Sequence, residues 1–342
     1  MRHHLLPVLS LALFATACGT DPGTGPSDLV PNAAKGGGQP PCEGLPAGTN
    51  SVVLDPATAQ VAVGTTIKIT ATNQSGTPIP TCALRWSSSN TAVATVTSTG
   101  IVSGIAVGGP VTIKAQTGGK TPLKGIATIT VVPPAPDILS GLRAYFPFTG
   151  NALDASGNNQ HGAVGSGAYL APDRFGNPDA AYGFSDPGFI DIGQLDLTGA
   201  FTLSAWIRPD IQTVGAVISK FAWANVQGYE LLYAGQQAQH CMRLHTSGLR
   251  GTGGFDCGVP LEVGRWYHVV GTYDGTSWGR LYLDGVVVAE FSGLLPDLPG
   301  GPHTFIGRSA WGAQTFLGLI DEVRIYERAL TAEQVAYLAT VP

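Results

Sequence analysis

Residues 266–273 read Trp-Tyr-His-Val-Val-Gly-Thr-Tyr, and residues 281–288 read Leu-Tyr-Leu-Asp-Gly-Val-Val-Val. β-Branched and aromatic residues dominate both stretches, a composition typical of strands. Asp284-Gly285 separates two strand-like runs in the second stretch, and this dipeptide is preferred where both residues of a hairpin turn need a positive φ. The two stretches therefore predict a β-hairpin within an all-β fold.

The same period-two alternation recurs towards the N-terminus. It is seen at 67–71, 111–115 and 126–131, and Gly or Pro turns separate these runs. Alternating Val, Ile and Thr residues are the signature of half-buried strands. Residues 51–132 are therefore predicted to form one small β-sandwich.

Strand patterns also cover the C-terminal part, with alternation at 201–207 and a last strand at 319–326. Only the tail looks helical. Thr331 can cap a helix, Gln334 follows three residues later, and Val335 with Leu338 forms an apolar pair at helical spacing. We expect a short C-terminal helix that packs on a sheet edge.

The chain has 342 residues, of which 12% are charged, with 47 Gly and 25 Pro. This length suits two domains, and the composition favours turns and strands. Pro133-Pro134-Ala135-Pro136 cannot continue a sheet ladder and favours an extended link. We predict an Ig-sized sandwich over 51–132, a linker over 133–138 and a larger jelly-roll sandwich over 139–342.

The N-terminus reads as an export signal. Basic and polar residues at 2–4 precede an apolar run at 5–14, which is too short to span a bilayer. Ala15-Thr16-Ala17-Cys18 resembles the lipobox of bacterial lipoproteins, so residues 1–18 are predicted to be a lipoprotein signal peptide with its lipobox. The resemblance implies a lipid anchor on Cys18 at the cell envelope, in the outer membrane or at the cell surface. A plain secretory signal cut at Ala17 is the alternative.

Residues 19–50 are rich in Gly and Pro, so they are predicted to form a flexible tether. Without Cys18, an even set of four cysteines remains, and in an oxidising compartment they should pair. Three connectivities are open. Segregation by domain favours Cys42 with Cys82 and Cys241 with Cys257.

The net charge is only −5, and no run of like charges occurs. No surface is therefore expected to offer the basic stripe that phosphate neutralisation requires. Nucleic acid is excluded as an expected partner.

Within the first sandwich, residues 84–96 read Leu-Arg-Trp-Ser-Ser-Ser-Asn-Thr-Ala-Val-Ala-Thr-Val, and 100–108 read Gly-Ile-Val-Ser-Gly-Ile-Ala-Val-Gly. This sequence resembles the bacterial Ig-like domain of group 2. The resemblance implies a spacer or stalk module without catalytic residues, in which Trp86 packs in the core.

The second sandwich carries specific motifs: Tyr-Phe-Pro-Phe at 145–148, Asp-Ala-Ser-Gly-Asn at 154–158, the stretches 266–275 and 281–285, and the closing segment 320–330. Together they resemble the laminin-G-like jelly roll of the concanavalin A-like superfamily. The resemblance spans the whole domain and implies a two-sheet sandwich, in which glycan recognition is a common non-catalytic role.

The same resemblance implies a structural calcium ion. In laminin-G-like domains the Asp-x-Ser-Gly turn commonly lies beside the aspartate of the last strand. Here these positions are Asp154 and Asp321, and Asn159 adds an oxygen donor in the turn. Calcium prefers such carboxylate and carbonyl oxygens, although Asp154 and its neighbours can equally hydrogen-bond their own turn.

No catalytic residue is predicted. Gly275-Thr276-Ser277-Trp278-Gly279 fits the nucleophile-elbow pattern by letter, but a strand rather than a helix should follow it. A glycosidase needs two carboxylates flanking one bond. Asp321 and Glu322 are adjacent on a strand, so they should point to opposite faces, with Glu322 solvated.

Trp223, Trp278 and Trp311 lie in predicted loops, where exposed rings stack on sugar faces. We therefore predict a non-catalytic surface protein, anchored to the membrane, that binds glycans or surface proteins through these residues. A purely structural or adhesive protein, with the rings buried, is the first alternative. A glycoside hydrolase is the second.

Overall fold

The computed structural model describes residues 44–221, 227–234, 241–246, 255–256, 259–293, 299–312 and 314–341. The chain divides into two compact units. The first ends at Ala59 and resumes over Ile67–Ser103 and Pro110–Ile129. The second takes Gln60–Thr66, Gly104–Gly109 and the chain from Thr130 onward.

Most of the N-terminal strands are short, β8 and β9 are longer, and together they confirm the alternation of the sequence. In the last of them, Ala127, Ile129 and Val131 are buried while Ile126 is exposed. The sheets have the orders β1-β4, β2-β9-β8-β5 and β3-β7-β6. The strands are β1 (Val53–Asp55), β2 (Thr58–Ala62), β3 (Thr66–Lys68), β4 (Thr70–Thr72), β5 (Leu84–Ser88), β6 (Ala94–Val96), β7 (Ile101–Gly104), β8 (Gly108–Thr117) and β9 (Lys124–Val132).

Two larger sheets follow in the C-terminal part. The larger sheet has the order β12-β13-β24-β15-β20-β21-β22, with β10 also paired to β24, and the smaller has the order β11-β14-β23-β16-β17-β18-β19. The strands are β10 (Leu142–Phe146), β11 (Ala163–Val164), β12 (Ala168–Ala171), β13 (Ala181–Phe184), β14 (Ile190–Asp191), β15 (Phe201–Pro209), β16 (Val214–Ser219), β17 (Tyr229–Ala234), β18 (Cys241–Thr246), β19 (Phe255–Asp256), β20 (Tyr267–Tyr273), β21 (Gly279–Leu283), β22 (Val286–Phe291), β23 (Phe305–Ile306) and β24 (Gly318–Tyr326).

One apolar core lies between these two sheets. Phe201 and Leu203 of β15 enter it from the larger sheet, and Tyr229 and Leu231 of β17 enter it from the smaller one. Residues of both sheets alternate between this core and the opposite face, as expected for a sandwich. The fold is therefore all-β, as the sequence predicts.

The predicted hairpin is present as β21 and β22. Asp284 and Gly285 join the strands with φ of 48° and 82°, which is the positive region that an Asp-Gly turn supplies. The amide of His268 donates to the Asp284 carboxylate, at 2.9 Å, and so ties the turn to β20.

The predicted helix is also present, as α1 (Ala332–Leu338), with a complete capping box between Thr331 and Gln334. Val335 and Leu338 pack on Val270 and Tyr282, which lie on the face of the larger sheet that points away from the core. We call this face the outer face. The helix covers part of it and also contacts β22, the edge strand, as expected.

Candidate functional site

A row of four side chains crosses the outer face beside α1. Thr202, Thr272, Arg280 and Glu290 are directly opposite one another on β15, β20, β21 and β22. Residues paired in this way have Cβ atoms about 5 Å apart, so their side chains meet. The register of the hairpin therefore places an arginine and a glutamate side by side on one surface.

A cavity of about 440 Å³ opens over this row. Ligand sites in proteins commonly measure about 300–1,000 Å³, so this cavity has room for one or two sugar rings. It is lined by Thr272, Asp274, Trp278, Gly279, Arg280, Glu290, Ala329 and Leu330. We call it the Trp278 pocket.

Thr202 fixes the position of the segment that forms one side of the pocket. Its hydroxyl donates to the Arg328 carbonyl at 2.8 Å and accepts from the Leu330 amide at 2.9 Å. The bond from the Leu330 amide is buried, and Leu330 is itself part of the apolar cluster under α1. The segment that leads from β24 into α1 is thus fixed on the sheet, and Ala329 and Leu330 become a firm wall.

Trp278 lies on a turn that is rigid before any ligand arrives. The Asp274 carboxylate accepts the amides of Thr276, Ser277 and Trp278, at 2.8–3.0 Å. Gly275, at φ 85°, approaches Ala200 so closely that a Cβ would lie 2.8 Å from its nitrogen. Although desolvation opposes them, these hydrogen bonds lower the pKa of Asp274 to about 2. The turn therefore stays ordered at physiological pH.

The Trp278 ring itself is 58% exposed. Ser277, the serine of the elbow-like pattern, accepts the Gly293 amide and is followed by β21, so the strand context predicted for it is confirmed. The ordered backbone of the turn holds this large, mainly apolar side chain in contact with water. The turn thus presents an aromatic surface at the pocket.

Arg280 and Glu290 form the polar floor. Arg280 Nε lies 2.6 Å from Glu290 Oε1, and both side chains are about half exposed, at 55% and 54%. The hydrogen bond with Glu290, opposed by slight desolvation, raises the pKa of Arg280. Arg280 therefore stays charged, and both side chains remain within reach of solvent.

The structure brings only part of the predicted tryptophan set together. Trp311 is 43% exposed, but it follows β23, and the neighbouring Ala310 amide bonds Ser219 of the smaller sheet. It does not line the Trp278 pocket. Trp223 lies outside the described residues. Sequence reasoning missed Arg280, Glu290 and Thr202, whose importance depends on strand register.

The predicted calcium ligands are already bonded to protein groups. Asp154 is buried and accepts the amides of Tyr145, Ser156 and Gln160, at 2.9–3.0 Å. Although burial alone would raise it, these bonds hold the pKa of Asp154 below its usual value. Asn159 lies in the same turn, at φ 58°. The turn bonds to itself, as Asx turns do.

Asp321 faces a cation of the protein itself. Its carboxylate lies 3.1 Å from Arg174 Nη1, and both side chains are almost fully buried. A calcium ion at Asp321 would meet this guanidinium, so the arrangement does not fit the ion. Within the described residues, no group of three or more His, Cys, Asp or Glu side chains is placed to bind a metal. Calcium binding stays a prediction.

The expectation for Glu322 was wrong. A bulge between β15 and β24, with Glu322 at φ 53°, interrupts the period of two that placed this side chain in water. Glu322 is only 7% exposed, accepts the Tyr145 hydroxyl and lies against Arg324. The carboxylates of Asp321 and Glu322 are therefore both enclosed by protein groups.

Burial, followed by the Glu322 charge, raises the pKa of Asp321 to about 7. His268 is completely buried on the same face, where it contacts Ser204 at 3.0 Å. Burial, helped by Arg324 and Arg174, lowers the pKa of His268 to about 3, so the ring is neutral and packed.

The cysteine predictions have different outcomes. Cys241 is buried in the core between the sheets. Its predicted partner Cys257 lies outside the described residues, so this pairing stays a prediction. Cys82 is disulfide-bonded, and its predicted partner Cys42 lies outside the described residues, as do Cys257 and Cys18. No helix in the part of the chain that the structure describes is long and apolar enough to cross a membrane.

Two families match the sequence. Residues 49–132 match the bacterial Ig-like domain (group 2). Residues 185–336 match the concanavalin A-like lectin/glucanases superfamily, and this range includes the Trp278 pocket.

Solved structures are similar to this chain at low identity. Domain 4 of AbnA, a GH43 extracellular arabinanase from Geobacillus stearothermophilus, in complex with arabinotriose, is 22% identical over 58% of this chain and 98% of that one, with a TM-score of 0.49. The binding domain of Botulinum neurotoxin DC in complex with SialylT is 14% identical, over 59% of this chain, with a TM-score of 0.45. The match spans 52%, about half, of that neurotoxin chain. A heptameric SAP-like pentraxin from Limulus polyphemus is 16% identical over 51% and 81%, with a TM-score of 0.39.

Proposed function

We propose that this chain, which joins a bacterial Ig-like domain of group 2 to a domain of the concanavalin A-like lectin/glucanase superfamily, is a non-catalytic recognition protein that binds glycans in the Trp278 pocket. The observation that carries the proposal is the Trp278 ring. It is 58% exposed and stands on a hydrogen-bonded turn at the mouth of a cavity. A sugar ring can lay its C–H groups on such a surface while its hydroxyls reach polar neighbours.

The polar groups at the pocket suit the rest of a sugar. Arg280 supplies N–H donors and Glu290 supplies acceptors, both on strands rather than on mobile loops. Charge-assisted hydrogen bonds of this kind are about twice as strong as neutral ones. Ala329 and Leu330 add an apolar wall on the side of α1. The combination of ring, ion pair and wall supports sugar binding.

The alternatives have less support. A purely structural protein would bury its loop tryptophans, whereas Trp278 and Trp311 are both exposed. A glycoside hydrolase needs two carboxylates about 5–10 Å apart around a bound substrate. Asp321 and Glu322 are neighbouring carboxylates, but each is enclosed and bonded to an arginine. The two carboxylates of the Trp278 pocket are also engaged, Asp274 by three backbone amides and Glu290 by Arg280, so we propose binding without hydrolysis.

The proposal includes presentation at the cell envelope. A lipid on Cys18, the tether over 19–50 and the Ig-like domain would hold the pocket away from the membrane. Labelling of growing cells with a radioactive fatty acid tests the anchor. The label should be incorporated into the protein and lost in the Cys18→Ala variant. Labelling that persists in this variant would contradict the anchor.

A glycan array probed with the full chain tests the pocket. We expect binding to at least one class of oligosaccharide, weakened roughly ten-fold or more by Trp278→Ala because the stacking surface is lost. Trp311→Ala is the matched control, since it removes another exposed ring outside the pocket. Equal losses in the two variants, or release of reducing sugar from the bound oligosaccharide, would contradict the proposal.

A further inference from the structure

We infer that the Trp278 pocket selects neutral sugars with adjacent hydroxyl groups and rejects anionic sugars such as uronates and sialylated glycans. The inference rests on the proposed function and concerns the same pocket. Its basis is the charge arrangement of Asp274, Arg280 and Glu290, which line the cavity together.

The ionisable groups that line the pocket carry a net negative charge. Asp274 and Glu290 contribute two carboxylates, and Arg280 contributes one guanidinium. Three backbone amides and the Thr276 hydroxyl donate hydrogen bonds to the Asp274 carboxylate. These bonds stabilise its ionised form. An anionic ligand would therefore meet two negative charges and one positive charge, and the excess negative charge would repel it.

The single cation is already engaged. Arg280 Nε lies 2.6 Å from Glu290 Oε1, and β21 and β22 hold the two residues opposite each other. A ligand carboxylate could bind Arg280 only in competition with Glu290, which the strand pairing keeps in place. The Glu290 carboxylate thus occupies the position beside Arg280 that the carboxylate of an acidic sugar would need.

A pair of adjacent hydroxyls fits the same groups without this competition. A hydroxyl both donates and accepts, whereas a guanidinium only donates and an ionised carboxylate only accepts. One hydroxyl can therefore accept from a remaining Arg280 N–H while its neighbour donates to Glu290. The Arg280–Glu290 pair then stays intact, and the ring lies against Trp278.

Calorimetric titration of the full chain tests this selectivity. The neutral probes are cellohexaose, xylohexaose and mannohexaose, and the anionic probes are hexagalacturonate and 3′-sialyllactose. We expect at least one neutral probe to bind and neither anionic probe to bind. The affinity for the neutral probe should change less than about two-fold between roughly 20 mM and 500 mM NaCl, because no net charge is matched.

The Glu290→Gln variant should change the affinity for neutral and for anionic ligands in opposite directions. It keeps the shape of the side chain but removes its charge. For a neutral ligand, loss of a charged acceptor should weaken binding roughly ten-fold. For an anionic ligand, the same change frees Arg280 and removes a repulsion, so binding should strengthen. Glu327→Gln, at another exposed glutamate outside the pocket, is the control for charge alone.

The outcomes separate the two proposals. Neutral binding that Glu290→Gln weakens supports both. Binding of an anionic probe by the unsubstituted chain overturns the selectivity and leaves glycan recognition standing. A failure of all five probes to bind overturns both, and binding that ignores both Glu290→Gln and Trp278→Ala places the site elsewhere. Matching near-ultraviolet circular dichroism spectra confirm that each variant is folded.

Discussion

Two arginine–carboxylate ion pairs of the C-terminal domain differ in their exposure to solvent, and this difference determines what each pair can do. Arg280 and Glu290 are 2.6 Å apart and about half exposed. Arg174 and Asp321 are 3.1 Å apart, with side chains 7% and 3% exposed. Solvent screens the first pair and keeps it accessible to a ligand, whereas the second pair is committed to the fold.

The two arginines also differ in their other contacts. Arg174 also donates to the Val341 carbonyl and lies 4.5 Å above the Trp206 ring, so one guanidinium holds three parts of the domain together. Arg280 lies between Thr272 of β20 and Glu290 of β22 and lines the pocket. Truncation of the buried arginine would leave Asp321 enclosed without its cation. Truncation of the exposed arginine would leave Glu290 in water.

The largest effect is therefore expected from Arg174→Met compared with Arg280→Met. Breaking a buried pair costs about 3–5 kcal/mol, because a buried charge loses its partner. Breaking an exposed pair costs about 0–1 kcal/mol. Urea unfolding followed by tryptophan fluorescence measures both. Similar losses of unfolding free energy in the two variants would remove the distinction between the regions.

A smaller effect is expected from pH, with opposite signs at the two aspartates of this sheet. The pKa of Asp321 is raised to about 7, so between about pH 4 and pH 7 the folded chain binds more protons here than the unfolded chain. The unfolding free energy should fall as pH rises through this window, by at most about 4 kcal/mol. The pKa of Asp274 is lowered to about 2, so its contribution is present above about pH 4 and is lost as the pH falls towards 2.

The Asp321→Asn variant isolates the buried contribution. Asn cannot titrate, so the fall in unfolding free energy between about pH 4 and pH 7 should disappear in the variant. Asp274→Asn should leave that fall unchanged and should alter stability only below about pH 4. Urea unfolding across this pH range checks both. A slope that survives in Asp321→Asn would assign it to another group.

The smallest effect is expected from removal of calcium. Asp154 is saturated with amide donors and Asp321 faces Arg174, so neither carboxylate is open to a cation. We expect EDTA to shift the Tm of the full chain by less than about 1 °C, since a ligand that does not bind cannot stabilise. Differential scanning calorimetry with and without calcium measures the shift. A loss of several degrees would mean that the turn at Asp154 opens to bind the ion.

Local signals were enough to predict much of the fold. Asp284-Gly285 and the capping box at Thr331 each act within a few residues, and both features are present as expected. Alternation identified the strands, including Gly318–Tyr326 at the end of the sheet. Motifs that span the domain indicated the family. The exposure of Trp278 followed from its place in a turn.

The rest depended on contacts between distant residues. Arg280 and Glu290 meet because of hairpin register, and Thr202 reaches Leu330 across 128 positions of sequence. Glu322 was expected in water because a strict period of two was assumed, and one bulge reversed its environment. The burial of Cys241 depends on which face of β18 it occupies, and a count of cysteines contains no information about that face.

The two hydrogen bonds of Thr202 also have a consequence for synthesis. They fix Ala329 and Leu330, which follow every strand of the domain in the chain, as a wall of the pocket. A ribosome makes the N-terminal residues first, so Trp278, Arg280 and Glu290 emerge well before that wall. The pocket is therefore completed only after all the strands have been made, and a nascent chain presents an open groove in its place.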